Sequence, residues 1–366
     1  MLNVKISKED LQYLVALHTV DGIGSVRLLK LFEHFGSGKK VWEASDKEFR
    51  GLGIPDKVIS AVKQAKMKVV PERYLQTLLH SKIHILTLCD KEYPDNLKQI
   101  HNPPFLLYYK GHFPTYSNSI GIVGTRKITS YGRTVTESLT TDLVAAGFLI
   151  VSGLARGVDT IAHQSCINAN GKTIAVLGGG LNNIYPSENY KLSEEIAAQY
   201  GCVLSEFPPN YPNLAGNFPA RNRIISGLSD AVLVTEAAED SGSLITARFA
   251  AEQGKEVFAV PGPITSQLAK GPLSLIKDGA KLVTSVDDIL NELGFESSLK
   301  GESLEQLMSE LDHNSKMIVE LLGAEMHHID EISRALKLSI PEVSAILLKL
   351  EIKGLVKNRG SGMYST

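Results

Sequence analysis

Apolar positions along the chain change period twice. Over residues 1–70 they recur at helical spacing: Leu11, Leu14 and Leu17 share one face, and Leu28, Phe32 and Phe35 another. Between the two lies Asp21-Gly22-Ile23-Gly24-Ser25, where Ser25 suits the N-cap of the second helix and Gly36 its stop. A second glycine pair, Gly51-Leu52-Gly53, precedes Ile54-Pro55 and a helix carrying Val58, Ile59 and Val62. Residues 71–115 read as a mixed connector broken by Pro94, Pro103, Pro104 and Pro114. Across 116–290 short β-branched runs at 120–123, 148–151, 173–177, 203–205, 231–235 and 257–260 alternate with helical patterns. Continuous apolar strands separated by helices predict a parallel sheet covered on both faces.

After 279–283 the less apolar stretch 291–303 reads as a linker. Residues 304–366 then predict helix, turn, helix and hairpin, the winged-helix order. Ser339 and Glu342 form a capping box, Val343, Ile346, Leu347 and Leu350 line the buried face, and Gly354 ends the helix. Residues 355–357 and 363–364 flank Arg359-Gly360-Ser361-Gly362 as a terminal hairpin. The expected fold class is α/β, with a Rossmann-like parallel core at 116–290. A helical head at 1–70 and a winged-helix-like tail at 304–366 flank it.

Composition narrows the chemistry. An apolar fraction of 43% is enough for real cores, and a formal net charge of −2 gives no global field to attract a polyanion. Any anion site must be local, built from backbone amides and a few placed cations. Cys89, Cys166 and Cys202 show neither zinc spacing nor a disulfide framework, which suits a reducing cytoplasm. The opening MLNVKISKED has no apolar h-region, and no apolar run reaches the ~20 residues of a membrane span.

Ligands of open parallel sheets bind outside the carboxyl ends of the strands. The first strand runs into Gly124-Thr125-Arg126, then Ser130-Tyr131-Gly132 at a helix head. The second ends in Ser152-Gly153 and leads to Asp159 and His163, and the third in Gly178-Gly179-Gly180, then Tyr185-Pro186. The fourth leads through Glu206 to Phe218 and Arg221-Asn222-Arg223, and the fifth through Glu236 to Ser241-Gly242-Ser243. One such turn is an ordinary strand-to-helix connection. Four on one edge point to a phosphate-binding face of amides, helix N-termini and arginines. The first turn is GIVG rather than GxGxxG, Ser152 stands where a ribose-binding acid belongs, and no Walker A run is present, which argues against NAD and ordinary ATPases. Asp159, His163, Glu206 and Glu236 fit hydrolysis, or they fit pairing with Arg156, Arg221 and Arg223 and helix capping. No nucleophile–base pair or metal spacing is visible. His327-His328 suits a turn.

The Gly22-Ile23-Gly24 turn between two short helices resembles a helix-hairpin-helix, whose amides contact a DNA phosphate, or it is a structural hairpin beside an acidic Asp21. The tail carries Lys349, Lys353, Lys357 and Arg359 but also Glu342 and Glu351, so protein contact fits it as well as DNA.

Together, Gly124-Thr125-Arg126 with Ser130-Tyr131-Gly132, SGLARGVDTIAH from Ser152, LGGGLNNIYPSEN from Leu177, FPARNRIISGLS from Phe218 and SGSLITARFAAEQGKEVFAVPG from Ser241 resemble the DprA/Smf family of DNA-processing proteins. The resemblance implies a non-enzymatic protein without cofactor, catalytic residue or metal. Such a protein binds single-stranded DNA during natural transformation, shields it from nucleases and helps load the RecA recombinase. It implies a homodimer formed through the Rossmann-like domain, which RecA also contacts. Carried over, Arg126 with Gly124, Thr125, Ser130 and Gly132 would hold a phosphate. Ser152, Gly153, Gly179, Gly180, Arg221, Asn222 and Arg223 would line the same groove, with Ser241, Gly242 and Ser243 at its far side. The family often has a lysine after the Tyr-Pro of the third loop; Ser187 stands there, so Lys191 would substitute. An asparagine is usual where this chain has Leu273. Tyr185, Phe207 or Phe218 would stack a base. The alternative is a nucleotide sensor or hydrolase on the same fold, with Glu206 or Glu236 as acid–base.

Overall fold

Nine strands form one sheet in the computed structural model, which describes residues 6–295, 311–323, 326–352, 355–360 and 362–365. They are β1 (His84–Thr87), β2 (Leu106–Gly111), β3 (Ser119–Val123), β4 (Leu149–Ser152), β5 (Thr173–Leu177), β6 (Gly201–Ser205), β7 (Ala231–Val234), β8 (Glu256–Ala259) and β9 (Lys281–Leu282), in the spatial order β1-β2-β6-β5-β4-β3-β7-β8-β9. β6 through β9 in that order pair parallel, whereas β2 runs antiparallel to β6 and β1 to β2. Every residue of β3 to β7 is buried, the signature of a sheet packed on both faces. From β3 the chain steps outward through β4, β5 and β6, then returns to lay β7 against the other side of β3. That reversal is the topological switch point.

The helices that matter for the site are α8 (Ser130–Ala145), α9 (Val158–Asn168), α11 (Asn217–Leu228) and α12 (Ser243–Glu252); α7 (Asp95–Lys98), α10 (Tyr190–Glu195), α13 (Lys270–Lys277) and α14 (Val286–Glu292) complete the sheet domain. Lys255, just before β8, donates to the carbonyls of Ser226, at 2.7 Å, Gly227 and Ser229, closing the C-terminal end of α11.

The six helices of the head are α1 (Lys8–His18), α2 (Ser25–Phe35), α3 (Gly38–Glu43), α4 (Asp46–Gly51), α5 (Asp56–Lys68) and α6 (Pro71–His80). Gly36 ends α2 in the left-handed region at φ 68°, its N–H returning to the Phe32 carbonyl at 2.8 Å. Ser25 differs from its expected role: Gly24 is the N-cap, without a side-chain cap, and Ser25 is the first helical residue. The head does not stand apart from the sheet. One apolar core runs from Leu14, Leu28 and Phe32 to Tyr108, Leu177 and Val203, and His18 Nδ1 meets Tyr108 Oη at 3.0 Å.

The stretch read as a connector contributes two strands. Phe105, Leu106, Leu107 and Tyr108 are fully buried, and Pro103 and Pro104 lie just before β2, where they remove no ladder bond.

The chain divides into two compact units, 1–296 and 297–366. The smaller holds helices His313–Leu322, Ile329–Leu336 and Ile340–Ile352 and the strands His327–His328, Lys357–Gly360 and Met363–Ser365. Ile318, Leu322, Ile332, Val343, Leu347 and Leu350 form its core. One half of the expected capping box is seen, with Glu342 accepting from Ser339 N at 2.9 Å and Oγ at 2.6 Å. His327 and His328 pair with Tyr364 and Met363 as a strand rather than forming a turn. Lys353, Gly354, Ser361 and most of the expected linker 291–303 lie outside the described residues. No helix among the described residues is long and apolar enough to cross a membrane.

Two buried histidines set an acid response. Burial lowers His18 from 6.5 to about 4 and His163 to about 3. The unfolded chain takes up both protons near pH 6.5 while the native chain does not, so stability falls as pH drops below that value. The slope reaches about 1.4 kcal/mol per pH unit for each histidine. Asp159, raised by burial, works in the opposite direction. Urea midpoints should therefore fall steadily between pH 6.5 and about 4, and His18→Gln should flatten that slope. A midpoint indifferent to pH would contradict the buried, neutral state of these rings.

Candidate nucleic-acid interface

The turn after β3 is clamped from three sides. Thr125 N donates to the Glu236 carbonyl at 2.6 Å, Val158 N to the Thr125 carbonyl at 3.1 Å, and Lys127 N to Thr125 Oγ1 at 3.1 Å. Thr129 caps α8, with Gly132 N on its Oγ1 at 3.0 Å, and itself donates to Glu236 through N at 3.0 Å and Oγ1 at 2.6 Å. A Cβ at Gly132 would strike the Glu236 carboxylate, so this glycine admits the clamp. The held loop leaves Arg126 exposed over the Phe218 ring, 5.6 Å from its centroid, with no hydrogen bond or ion pair among the described residues.

The turn after β4 is organised from beneath. Ser152 is fully buried and donates to the Ile122 carbonyl at 2.6 Å. Asp159 accepts from Gly153 N at 3.1 Å and Ala155 N at 3.3 Å. Arg221, only 4% exposed, donates to the Gly153 carbonyl at 2.6 Å and to the Val176 carbonyl. Leu154 sits at φ 56°, a backbone region unusual for a bulky residue, with Asn189 Nδ2 on its carbonyl at 2.9 Å. Burial lowers Arg221 to about 10, opposed by Asp159, so it is cationic at neutral pH. Burial raises Asp159, and Arg221 opposes that.

Asn222 ties the turn after β7 to the same framework, donating to the Gly242 carbonyl at 3.0 Å. α12 begins just beyond with Gly242 as its N-cap, and its first amide, Ser243 N, donates to Ser241 Oγ at 3.4 Å. Ser241 and Ser243 share an Oγ–Oγ hydrogen bond of 2.8 Å.

These turns enclose a cleft of about 950 Å³ at the carboxyl ends of the strands. From the candidate set it brings together Gly124, Thr125, Arg126, Arg221, Asn222, Ser241, Gly242 and Ser243. Gly153 lines a small adjoining recess with Arg126, Tyr185 and Phe218. Tyr185 and Phe218 lie 5.8 Å apart as a tilted aromatic pair.

The other candidates serve the frame. Gly179 and Gly180 are buried where the loop at 208–211 crosses: Gly180 N donates to the Tyr211 carbonyl at 2.9 Å, and Ser205 Oγ to the Gly179 carbonyl at 2.7 Å. Arg223 gives its guanidinium to both Glu206 oxygens at 2.6 Å and does not line the cleft. Lys191, the expected stand-in for a cation at Ser187, is exposed on α10 and does not line it either. Ser130 and Gly132 belong to the head of α8 behind Arg126. Lys127, Asn213 and Asp240 line the cleft without having been singled out as contacts. Lys127 follows Arg126 directly; Asn213 and Asp240 belong to no motif.

The carboxylates open to a hydrolytic reading are engaged: Glu206 by Arg223, Glu236 by Thr129, and Asp159 by backbone amides. His163 is buried, 2.7 Å from Thr173 Oγ1. Among the described residues no group of three His, Cys, Asp or Glu is placed to hold a metal. What the cleft offers is anion binding: exposed Arg126 and Lys127, the charged floor of Arg221, and the head of α12.

A family model described as DNA recombination-mediator protein A matches residues 84–294, and one described as DprA winged helix domain matches 303–362. Protein Smf of Synechocystis is 37% identical, covering 96% of this chain and 98% of its own length. DNA processing protein DprA of Bacillus subtilis is 46% identical over 60% of this chain and 75% of its own. DNA processing protein A from Streptococcus pneumoniae superposes with a TM-score of 0.65 at 36% identity, covering 80% of this chain and 99% of that one. DNA processing protein A from Helicobacter pylori, described for its single-stranded DNA binding mode, gives 0.52 at 33% identity over 58% and 95%.

Proposed function

The chain belongs to the DNA recombination-mediator protein A (DprA/Smf) family, and from that premise we propose that its strand-end cleft holds single-stranded DNA by the phosphates. The observation that carries this reading is the convergence of the strand-end turns on one cleft, with exposed Arg126 unpaired among the described residues. Phosphates would sit against Arg126, Lys127 and the head of α12, above the Arg221 floor. A base would lodge by Tyr185 and Phe218, since stacking accepts every base. Phosphate contacts carry no sequence information, so binding is largely sequence-independent.

In this reading the protein is a binding protein, not an enzyme. The engaged carboxylates support that over nucleotide hydrolysis. The strand is DNA taken up in natural transformation, kept from nucleases and passed to RecA. Two copies pairing through the sheet domain, and RecA docking there, belong to the same proposal. Light scattering and RecA capture by the purified chain test them.

Single- and double-stranded oligonucleotides of equal length, titrated across a salt series, test the binding itself. Single strands should bind more tightly, with log K falling against log salt by about 0.7 for each phosphate held. Saturable mononucleotide binding with turnover, and no preference for single strands, would favour a nucleotide enzyme.

A further inference from the structure

A second cleft, of about 380 Å³, opens at the hairpin of the helical head, lined by Gly22, Gly24, Ser25, Arg27, Lys30 and Glu206. Three features single it out. First, α2 starts there with Gly24 as N-cap and no side chain on its first-turn amides, and a Cβ built on Gly24 would meet nothing within 4 Å. Second, Ser25 is only 6% exposed, lines the cleft, and its hydroxyl has no hydrogen-bond partner among the described residues. A buried hydroxyl is rarely left unpaired, and one beside an open helix N-terminus is placed to donate to an anion. Third, the charges suit that role. Arg27 is drawn onto the Gly22 carbonyl, and Lys30 is exposed with no hydrogen bond or ion pair among the described residues. Glu206 brings a carboxylate to the cleft, but both its oxygens are taken by Arg223. Asp21 adjoins the hairpin as an exposed counterweight.

The position connects it to the main cleft. Glu206 follows directly on β6, so the hairpin lies at the same carboxyl edge of the sheet as the turns after β3 and β4. β6 stands three strands from β3, about 14 Å at ordinary sheet spacing. α11 reaches both sites, placing Arg221 in the main cleft and Arg223 on Glu206.

We propose that this hairpin cleft is a second phosphate site, in which Ser25 Oγ, the amides at the head of α2 and Lys30 hold one backbone phosphate of the strand that the main cleft binds. The proposal rests on the single-strand reading and extends its path along the sheet edge.

The test uses the full chain and two oligothymidylates, one of about 6 nucleotides to fill the main cleft and one of about 20 to reach both. Lys30→Glu should weaken the long oligonucleotide about fivefold or more and reduce its salt slope by about 0.7, leaving the short one unchanged. Ser25→Ala should weaken the long one by a smaller factor, because it removes one donor and no charge. Arg126→Ala is run in parallel and should weaken both. Unchanged long-strand affinity and slope in Lys30→Glu would overturn the hairpin site and leave the main cleft standing. Equal loss on both lengths would also overturn it, because a diffuse field and not a site would be acting. If Arg126→Ala moves neither, the main-cleft reading fails instead, and the Lys30 result is read on its own.

Discussion

Replacing Arg126 by alanine should weaken oligothymidylate binding by roughly 1.5–3 kcal/mol, a tenfold loss or more, without moving the urea midpoint. The size follows from the loss of one charged hydrogen bond to phosphate. The lack of a stability effect follows from exposure: Arg126 makes no hydrogen bond or ion pair among the described residues and lies over the face of Phe218. Lysine should recover only part of the loss. It keeps the charge but not the planar fork that matches two phosphate oxygens. Alanine that binds as tightly as arginine would remove Arg126 from the site.

Arg221 should behave in the opposite way. Arg221→Met should cost about 3–5 kcal/mol of stability in urea unfolding, the range for stripping one partner from a buried charge network. The side chain is buried with donors on the Gly153 and Val176 carbonyls, and Asp159 depends on it for countercharge. Without the guanidinium those carbonyls lose their donor and Asp159 keeps its backbone amides but loses the nearby positive charge of Arg221. Methionine keeps much of the volume, so the loss reports hydrogen bonding and charge more than a cavity. DNA affinity should fall as well, because the turn carrying Gly153 loses its support. A loss below about 1 kcal/mol would mean that the floor of the cleft is held elsewhere. Together the two arginines separate contact from architecture: one changes binding alone, the other changes both.

The difference between them was hidden in the sequence for a simple geometric reason. Arg221 and Arg223 read as one basic segment facing one ligand. On a helix, residues two apart lie on nearly opposite faces, so α11 sends Arg221 under the glycine turns and Arg223 to Glu206. The glycines hid a similar distinction. Gly124 lines the cleft and also admits Val158 and the Glu236 carbonyl, whereas Gly179 gives room to the Asn213 side chain and Gly180 to the backbone at Pro208 and Pro209, and their residue type alone does not say which.

The parallel strands were legible because they are buried on both faces and read as unbroken apolar runs between helices. Their shared edge followed from topology, and with it the position of the cleft. β1 and β2 were not legible, since prolines flank them and an antiparallel edge obeys no βαβ rhythm. Ser25 was read as a cap from residue preference, but one residue of register moved the cap to Gly24 and left the hydroxyl without a hydrogen-bond partner among the described residues.

Amide hydrogen exchange of the full chain, with and without saturating oligothymidylate, tests the central claim most directly. Protection should concentrate at 124–132, 153–157 and 241–245, the turns that frame the cleft, and in Arg126→Ala a roughly tenfold or higher oligonucleotide concentration should be needed to reach the same protection. Protection confined to 311–365, with these turns unchanged, would contradict a strand-end DNA site.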